Sequence, residues 1–322
     1  MKTITAREHD LILDIRNEGL TSLPPGIFEK DLLITELLQT VSSANIDGIE
    51  LVFCGGTCLS KAHGLIERMS EDVDFKLIVA DGLSRSARNK LLSQFKKRLT
   101  KVLEDANYHI PAEQIIACDE NNYVSLNLHY KSQFPQVASL RSEIKLEFNA
   151  RSPALPTKPL PIRSLLDTVI QAPKAEFIVE CISVVETLAE KILSFLRRTA
   201  EVRAGRNRAD YDDRLVRHMY DIRAIACQRK KRMFALPHEH FAKMVASDAI
   251  QYRNQYPEFE QDPIGQMRTV LTALQSEADY FERQYLQFVD ELVFGEPVSF
   301  VEARRVFIAL ASRLLRRLEL DR

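Results

Sequence analysis

Hydrophobic positions in the first half of the chain change between helical and strand-like spacing. Residues spaced three and four apart, such as Leu92, Phe95 and Leu99, form one apolar stripe and predict helices. The predicted helices cover 5–18, 27–43 and 84–107. Alternating or continuous apolar runs predict strands over 49–54, 70–79, 113–118, 122–130 and 142–149. The first half therefore reads as mixed helix and sheet.

The second half of the chain has mainly helical spacing. The predicted helices cover 182–204, 211–231, 238–254, 264–293 and 299–319. Between the halves, residues 152–161 contain four prolines, which a helix interior or a central strand does not tolerate. We therefore predict two domains, 1–155 with helices and a sheet, and 156–322 with helices.

The composition of the chain is typical of a globular protein. The chain has 322 residues, of which 45% are hydrophobic and 28% charged, as is ordinary for globular proteins. No apolar run approaches the roughly 18 residues of a membrane span. The first residues include Arg7, Glu8, His9 and Asp10, where a signal peptide requires an apolar stretch. We expect a cytoplasmic protein with no membrane partner.

Charge is balanced over the whole chain but concentrated in one segment. The net charge is −1, whereas residues 195–235 contain ten Arg and two Lys against five acidic residues, a net charge of +7. A local positive field can direct a polyanion to one face of a neutral protein. The alternative is a solvated helical surface that happens to be rich in arginine.

A glycine pair follows the first predicted strand. Residues 49–54 lead directly into Gly55, Gly56 and Thr57, where a short helix begins. Because glycine has no Cβ and the first amides of a helix lack intrahelical partners, such a bend can bind a phosphate closely. The alternative is a tight turn without a ligand.

Two aspartates lie one strand later. Asp72 and Asp74 are two apart, so in an extended strand both carboxylates point to one side while Val73 and Phe75 point to the other. Two close negative charges repel each other unless a cation neutralises them, and a hard divalent ion with oxygen ligands, Mg²⁺ or Mn²⁺, does so. The alternative is an exposed acidic edge.

A third acid occurs in the segment 144–151. Glu147 shares one strand face with Lys145 and Asn149, while the apolar residues occupy the other face. If this strand lies beside the strand of Asp72 and Asp74, Glu147 completes a carboxylate triad that ligates metal or accepts a proton from an attacking hydroxyl. The alternative is a half-buried strand with a solvated polar face.

These motifs together resemble a known family. The block GGTCLSKAHGLIERMSEDVDF is similar to the signature of the AbiEii/AbiGii-type nucleotidyltransferase toxins of the DNA polymerase β-like superfamily. The segments IKLEFNAR, VVETLAEKILSFLRR and RHMYDIRAI resemble the later motifs of that family, in the same order. The resemblance covers about residues 50–225. It implies an α+β fold, a polymerase-β-like mixed-sheet domain followed by a helical domain that completes the active-site cleft.

The resemblance also implies roles for individual residues. Asp72, Asp74 and Glu147 would bind Mg²⁺ or Mn²⁺ and act in catalysis. The remaining motif residues would bind the nucleoside triphosphate (NTP), namely Gly55, Gly56, Thr57, Lys61, Arg68 and Ser70. Lys61 and Arg68 are equally compatible with surface charges.

Two further catalytic roles fall in the helical half. Lys191 matches the helical lysine of the family, whose charge would offset charge developing on the triphosphate. Asp221 matches the last motif and would orient the lysine or the acceptor. The alternative for Asp221 is an exposed ion pair with Arg217, four residues before it on a helix. His218 is a further candidate, or a packed histidine.

The implied activity is transfer of a nucleotide from an NTP to an acceptor hydroxyl, with release of pyrophosphate. The family is associated with toxin–antitoxin and phage-defence systems, which implies a cognate antitoxin protein as partner. RNA, and within it the tRNA acceptor end, is the predicted acceptor. The alternatives are a protein or small-molecule acceptor, an inactive binding module, and a helical structural protein in which the motif is incidental.

Overall fold

A computed structural model describes residues 1–44, 47–136, 140–172, 177–206, 213–228 and 238–320. The chain forms two compact units. The first comprises Met1–Gly64 and Arg68–Ser183, and the second comprises Leu65–Glu67 and Val184–Arg322.

The first unit begins with two helices and continues into a sheet. Its helices are α1 (Ala6–Asn17), α2 (Pro25–Ser43), α3 (Gly55–Lys61), α4 (Arg85–Asp105) and α5 (Leu165–Val169). Its strands are β1 (Ile49–Cys54), β2 (Asp72–Val79), β3 (Ile115–Cys118), β4 (Tyr123–His129), β5 (Glu143–Asn149), β6 (Lys158–Ile162) and β7 (Phe177–Cys181). The predicted elements of this half are all present, with ends shifted by a few residues.

The described strands form one mixed sheet in the order β3-β4-β5-β2-β1-β7-β6. Strand β2 lies at its centre, antiparallel to β1 and parallel to β5. Parallel neighbours need a long crossover, which residues 80–142 provide between β2 and β5. The predicted mixed-sheet α+β class is confirmed, and the strand bearing Glu147 lies beside the strand bearing the two aspartates.

One face of the sheet carries an aromatic core. Phe75 of β2 stacks on Phe148 of β5 at 5.6 Å between ring centroids, and Phe53 of β1 lies at the same distance on its other side. Phe95 of α4 packs edge-on against Phe148 at 5.1 Å. All four rings are buried. Because side chains alternate along a strand, burial of these rings directs Asp72, Asp74 and Glu147 to the opposite face.

The compact units divide between Ser183 and Val184, and not at the predicted 155/156. The proline-rich stretch leads into β6, which includes Pro159 and Pro161 and pairs only with β7 at the edge of the sheet. An edge strand accommodates proline because one side of it makes no ladder hydrogen bonds. The prolines therefore belong to the first unit. The strands β6 and β7 were not predicted.

The second unit is helical in the part that the structure describes. Its helices are α6 (Val184–Arg203), α7 (Arg217–Gln228), α8 (His238–Tyr252), α9 (Pro257–Gln261), α10 (Pro263–Ser276), α11 (Ala278–Leu292) and α12 (Phe300–Leu320). The single helix predicted over 264–293 is two helices, because Glu277 has φ −120° and ψ 39° and interrupts the helical backbone. Part of the helix predicted over 211–231 lies outside the described residues. Within the described residues, no helix combines the length and the hydropathy needed to cross a membrane.

Candidate active site

The glycine pair lies where β1 meets the strand of the two aspartates. Gly55 has φ +77°, a conformation that favours glycine, and a Cβ at this position would collide with the Asp74 carboxylate. A Cβ at Gly56 would lie 2.8 Å from Ser70 Oγ and 2.9 Å from Arg68 Nη2. The glycines are therefore required by close approach of neighbouring side chains, independently of any ligand.

Thr57 ties the glycine bend to the aspartate strand. It is buried at 1% exposure. Its hydroxyl hydrogen-bonds to the carbonyl oxygen of Asp72 and lies 3.0 Å from Ser70 Oγ. The glycine bend, Ser70 and the first residue of β2 are thus held as one local structure.

The three predicted acids occupy adjacent positions of the sheet. Asp74 is the register partner of Glu147 on β5 and of Cys54 on β1, and Asp72 lies two residues before it on the same face. All three side chains are partly exposed. Their shared face and their adjacency agree with the predicted arrangement of the strands.

Two of these carboxylates are paired with cations of the same unit. Arg141 Nη1 donates to Asp72 Oδ1 at 2.6 Å, and Lys145 Nζ lies 3.0 Å from Glu147 Oε1. The Tyr123 hydroxyl donates to the same Glu147 oxygen. Burial, and after it the Glu147 charge, raise the pKa of Tyr123, so the phenol remains a hydrogen-bond donor at neutral pH.

The acidic side chains do not form a metal-binding cluster in the part of the chain that the structure describes. Among the residues that the structure describes, no three Asp, Glu, His or Cys side chains lie close enough together to hold a metal ion. The predicted triad is aligned on one face of the sheet, and two of its carboxylates contact neighbouring cations. Asp72 is drawn to Arg141, and Glu147 is drawn to Lys145 and Tyr123.

Lys61 and Arg68 are both buried, which rules out the alternative that they are surface charges. Lys61 Nζ lies 2.7 Å from Asp31 Oδ1 and donates to Thr35 Oγ1 at 2.6 Å, which fastens α3 to α2. Arg68 Nη1 donates to the carbonyl of Met69 at 2.9 Å. Arg68 thus lies against the glycine bend, whereas Lys61 Nζ is engaged by side chains of α2.

In the second unit, Lys191 and Asp221 form a buried ion pair. Lys191 Nζ lies 2.8 Å from Asp221 Oδ2, and the side chains are 9% and 0% exposed. Asp221 is therefore not part of an exposed pair with Arg217. His218 Nδ1 lies 3.2 Å from the carbonyl oxygen of Lys191, which links the two helices at the same point.

Part of the basic segment 195–235 is neutralised by acids of the second unit. Each of four arginines is paired with an acid of the second unit, and the pairs are Arg197–Asp248, Arg203–Glu277, Arg206–Glu258 and Arg223–Glu302. Arg197 also stacks on the ring of Tyr252 at 3.6 Å. The remaining basic residues include five outside the described residues: Arg208, Arg229, Lys230, Lys231 and Arg232.

Sequence reasoning missed two residues at the carboxylate face. Tyr123 comes from β4 and Arg141 from the segment before β5, and both reach the acids through long-range contacts. No spacing in the sequence signals either contact. Lys145 was placed on the correct face by strand alternation, but its pairing with Glu147 was not predicted.

Two solved structures show remote similarity to the chain. One is MenT4, a nucleotidyltransferase toxin from Mycobacterium tuberculosis H37Rv, with 16% identity, coverage of 96% of this chain and 98% of that chain, and a TM-score of 0.39. The other is the CdnC:HORMA-deltaN complex of E. coli MS115-1, with 14% identity, coverage of 77% and 68%, and a TM-score of 0.25. A search of curated proteins finds no significant match.

Family comparison gives the decisive result. Residues 36–306, well over half of the chain, match the family described as nucleotidyl transferase AbiEii toxin, type IV toxin–antitoxin system. The match spans the glycine bend, the three acids and the Lys191–Asp221 pair. Membership of a toxin–antitoxin family implies an antitoxin as partner. The chain therefore belongs to the AbiEii family of nucleotidyltransferase toxins, and its enzymatic activity is nucleotidyl transfer.

Proposed function

We propose that the chain transfers a nucleotide from an NTP to a hydroxyl of RNA, at the acceptor end of tRNA, in a reaction that requires a divalent metal ion. The observation that carries the proposal is the alignment of Asp72, Asp74 and Glu147 on one sheet face beside the Gly55–Gly56 bend. Such transfer needs an anion-binding bend, acidic ligands for a cation and little covalent chemistry. We propose that this reaction takes place in the cytoplasm.

The donor set suits Mg²⁺ or Mn²⁺. Carboxylate oxygens are the preferred ligands of hard divalent ions, and Mg²⁺ is commonly held by one or two carboxylates together with substrate phosphates. Asp72 and Asp74 would hold the ion, and Glu147 is the third acid within reach of the same face. When bound, the ion would neutralise charge on the phosphates of the NTP.

The glycine bend supplies the proposed nucleotide site. In the proposal, the backbone amides of Gly55 and Gly56 bind a phosphate, since glycine presents no Cβ to the ligand. Thr57 and Ser70 hold the bend against β2, and Arg68 provides a positive charge beside Gly56. We assign Lys61 to positioning α3, because Asp31 and Thr35 hold its ammonium group.

In the reaction, the acceptor hydroxyl attacks the α-phosphorus, the bond to the bridging oxygen breaks, and pyrophosphate leaves. The family resemblance assigns Lys191 to the charge that develops on the leaving pyrophosphate. Asp221 would hold the Lys191 ammonium group in one direction, as their 2.8 Å contact supports. Glu147 is the proposed acceptor of the hydroxyl proton.

The choice of tRNA rests on the family resemblance. The arginines paired in the described part of 195–235 add little to it, because acids of the same unit already neutralise them. A protein or small-molecule acceptor is therefore tested alongside RNA.

The acceptor can be identified with α-labelled NTPs. Purified protein is incubated with each of the four NTPs and Mg²⁺ in the presence of tRNA, total protein extract, or the small-molecule fraction. The proposal predicts label on tRNA and altered tRNA 3′ ends on sequencing. Label confined to protein or to small molecules would contradict the RNA acceptor.

A growth assay links the chemistry to toxicity. Expression of the wild type is expected to arrest growth, and expression of Asp72→Ala to leave growth unaffected. Equal toxicity of the two proteins would contradict a role for Asp72 in the toxic activity.

A further inference from the structure

Arg141 and Lys145 place positive charge on the carboxylates proposed to face the metal ion. Arg141 donates to Asp72 Oδ1 at 2.6 Å, and Lys145 Nζ lies 3.0 Å from Glu147 Oε1. The four side chains are between 22% and 34% exposed. These pairs are therefore accessible to ions in solution, unlike pairs sealed in a core.

The position of Arg141 is fixed by a buried ion pair. Lys30 of α2 and Glu71 lie 2.7 Å apart, and their side chains are 0% and 2% exposed. Glu71 Oε2 accepts the backbone N–H of Arg141 at 2.9 Å, and Lys30 Nζ donates to the Arg141 carbonyl at 2.7 Å. The backbone N–H and C=O of Arg141 are thus both hydrogen-bonded, which fixes the backbone position from which its side chain extends to Asp72.

Lys145 is placed by strand geometry. It lies two residues before Glu147 on β5, so both side chains leave the same face of the sheet. It is also the register partner of Asp72 on β2. Tyr123 from β4 donates to the same Glu147 oxygen and keeps that carboxylate turned towards β4. Lys145 therefore adds its charge between two of the three acids.

These contacts have an electrostatic consequence. Three neighbouring carboxylates repel one another, and a cation that neutralises them stabilises the group. Either an internal cation or a divalent ion can serve, and the two compete for the same oxygens. A fixed positive charge also repels a divalent ion directly, and the repulsion is stronger than that between two single charges.

We propose that Arg141 and Lys145 are internal counter-cations, which compete with the divalent metal ion for Asp72 and Glu147 and so set the metal concentration that the site requires. The inference rests on the metal-dependent function proposed above. Arg141 and Lys145 act by their charge on the carboxylates and on the ion, and they are not catalytic residues.

The test measures Mn²⁺ binding directly, by calorimetry and by the electron paramagnetic resonance signal of free Mn²⁺. Lys145→Met and Arg141→Met are each expected to lower the Mn²⁺ dissociation constant about tenfold, since a repelling charge is removed. Lys145→Arg restores the charge and is expected to return the constant to the wild-type value. Lys158→Met is the matched control, because Lys158 is exposed on the edge strand β6, and it is expected to change nothing.

Unchanged or weaker Mn²⁺ binding in both Met variants would overturn the proposal. Circular dichroism measures whether each variant is folded. If Lys145→Met does not fold, Lys145→Gln provides a second neutral variant. The Asp74→Asn variant distinguishes failure of the counter-cation proposal from failure of the proposed metal site. If it removes Mn²⁺ binding while Lys145→Met and Arg141→Met have no effect, only the counter-cation proposal fails. If Mn²⁺ binding is indifferent to Asp74, the proposed metal site and the counter-cation proposal both fail.

Discussion

Two charged clusters of this protein differ in their access to water. On the sheet face of the first unit, the Asp72–Arg141 and Glu147–Lys145 pairs are between 22% and 34% exposed. In the second unit, the Lys191–Asp221 pair is 9% and 0% exposed. Exposed pairs exchange partners at low cost, whereas removal of one member of a buried pair leaves an uncompensated charge.

The difference in exposure determines how each charged cluster can work. The carboxylate face is suited to exchange its internal cations for a metal ion or substrate, because water and ions reach it. The Lys191–Asp221 pair is suited to hold one ammonium group in one direction throughout the reaction. Substitutions on the sheet face are therefore expected to change activity more than stability, and substitutions of the buried pair to change both.

The largest loss of transfer without a loss of stability is expected from Asp74→Asn. The variant removes one negative charge from the centre of the carboxylate face, and we expect transfer to fall by at least 10²–10³-fold, the range for loss of one electrostatic contact in a transition state. The free energy of unfolding should change little, because Asp74 is only partly buried. Transfer of α-labelled NTP and urea denaturation measure the two quantities.

Unfolding of the Asp74→Asn variant, or transfer of label by it at the wild-type rate, would contradict the expected difference between the exposed sheet face and the buried pair. Asp279→Asn, an exposed substitution in α11, is the control for loss of a carboxylate and should preserve both properties.

For the buried pair, we expect Lys191→Met to lower the free energy of unfolding by about 3–5 kcal/mol and to abolish transfer. The double variant Lys191→Met/Asp221→Leu should recover most of the stability, because no buried charge is left unpaired, but it should not recover transfer. Chemical denaturation of the single and double variants measures this coupling. Recovery of transfer in the double variant would show that the pair is only structural.

A smaller effect is expected at the glycine bend. Gly55→Ala forces a left-handed residue at φ +77° and displaces the Asp74 carboxylate, so we expect a loss of about 1–2 kcal/mol in stability and of about 10²-fold in transfer. Gly82→Ala is the matched control, with φ +83° but open space around it. It should lose stability and keep its activity. Equal activity losses in both variants would argue against close approach of Gly55 and Asp74.

The smallest effect is expected from the paired arginines. Arg203 is bound to Glu277 by two hydrogen bonds of 2.7 and 2.8 Å. Arg203→Gln should leave the salt dependence of tRNA binding unchanged, since this arginine is already neutralised. Filter binding over a range of salt concentrations gives the slope, and a slope reduced by about one would show that Arg203 contacts a phosphate.

Local patterns predicted much of the first unit. The run 49–54 and its glycine end predicted β1 and the start of α3, because a continuous apolar strand followed by two glycines allows few other structures. Strand alternation assigned Asp72, Asp74 and Glu147 to a face opposite the aromatic core. The register of β2 against β5 required the structure, since pairing of distant strands is not encoded in local spacing.

Features that depend on distant partners could not be predicted in the same way. Arg141 contacts Asp72 from a backbone position that Lys30 and Glu71 hold by hydrogen bonds. The charge of 195–235 appeared as a basic segment because its acidic partners, such as Glu258 and Glu302, come from later helices. Metal dependence, the NTP and the acceptor stay predictions of the sequence and the family.

The most direct test of metal-dependent nucleotide transfer compares the wild type with the double variant Asp72→Asn/Asp74→Asn. Each protein is incubated with α-labelled NTP, tRNA and Mg²⁺, with and without a chelator, and RNA-bound label and released pyrophosphate are both measured. We expect equal amounts of the two products from the wild type, with none in the presence of chelator and none from the variant. Transfer by the variant at the wild-type rate would contradict it.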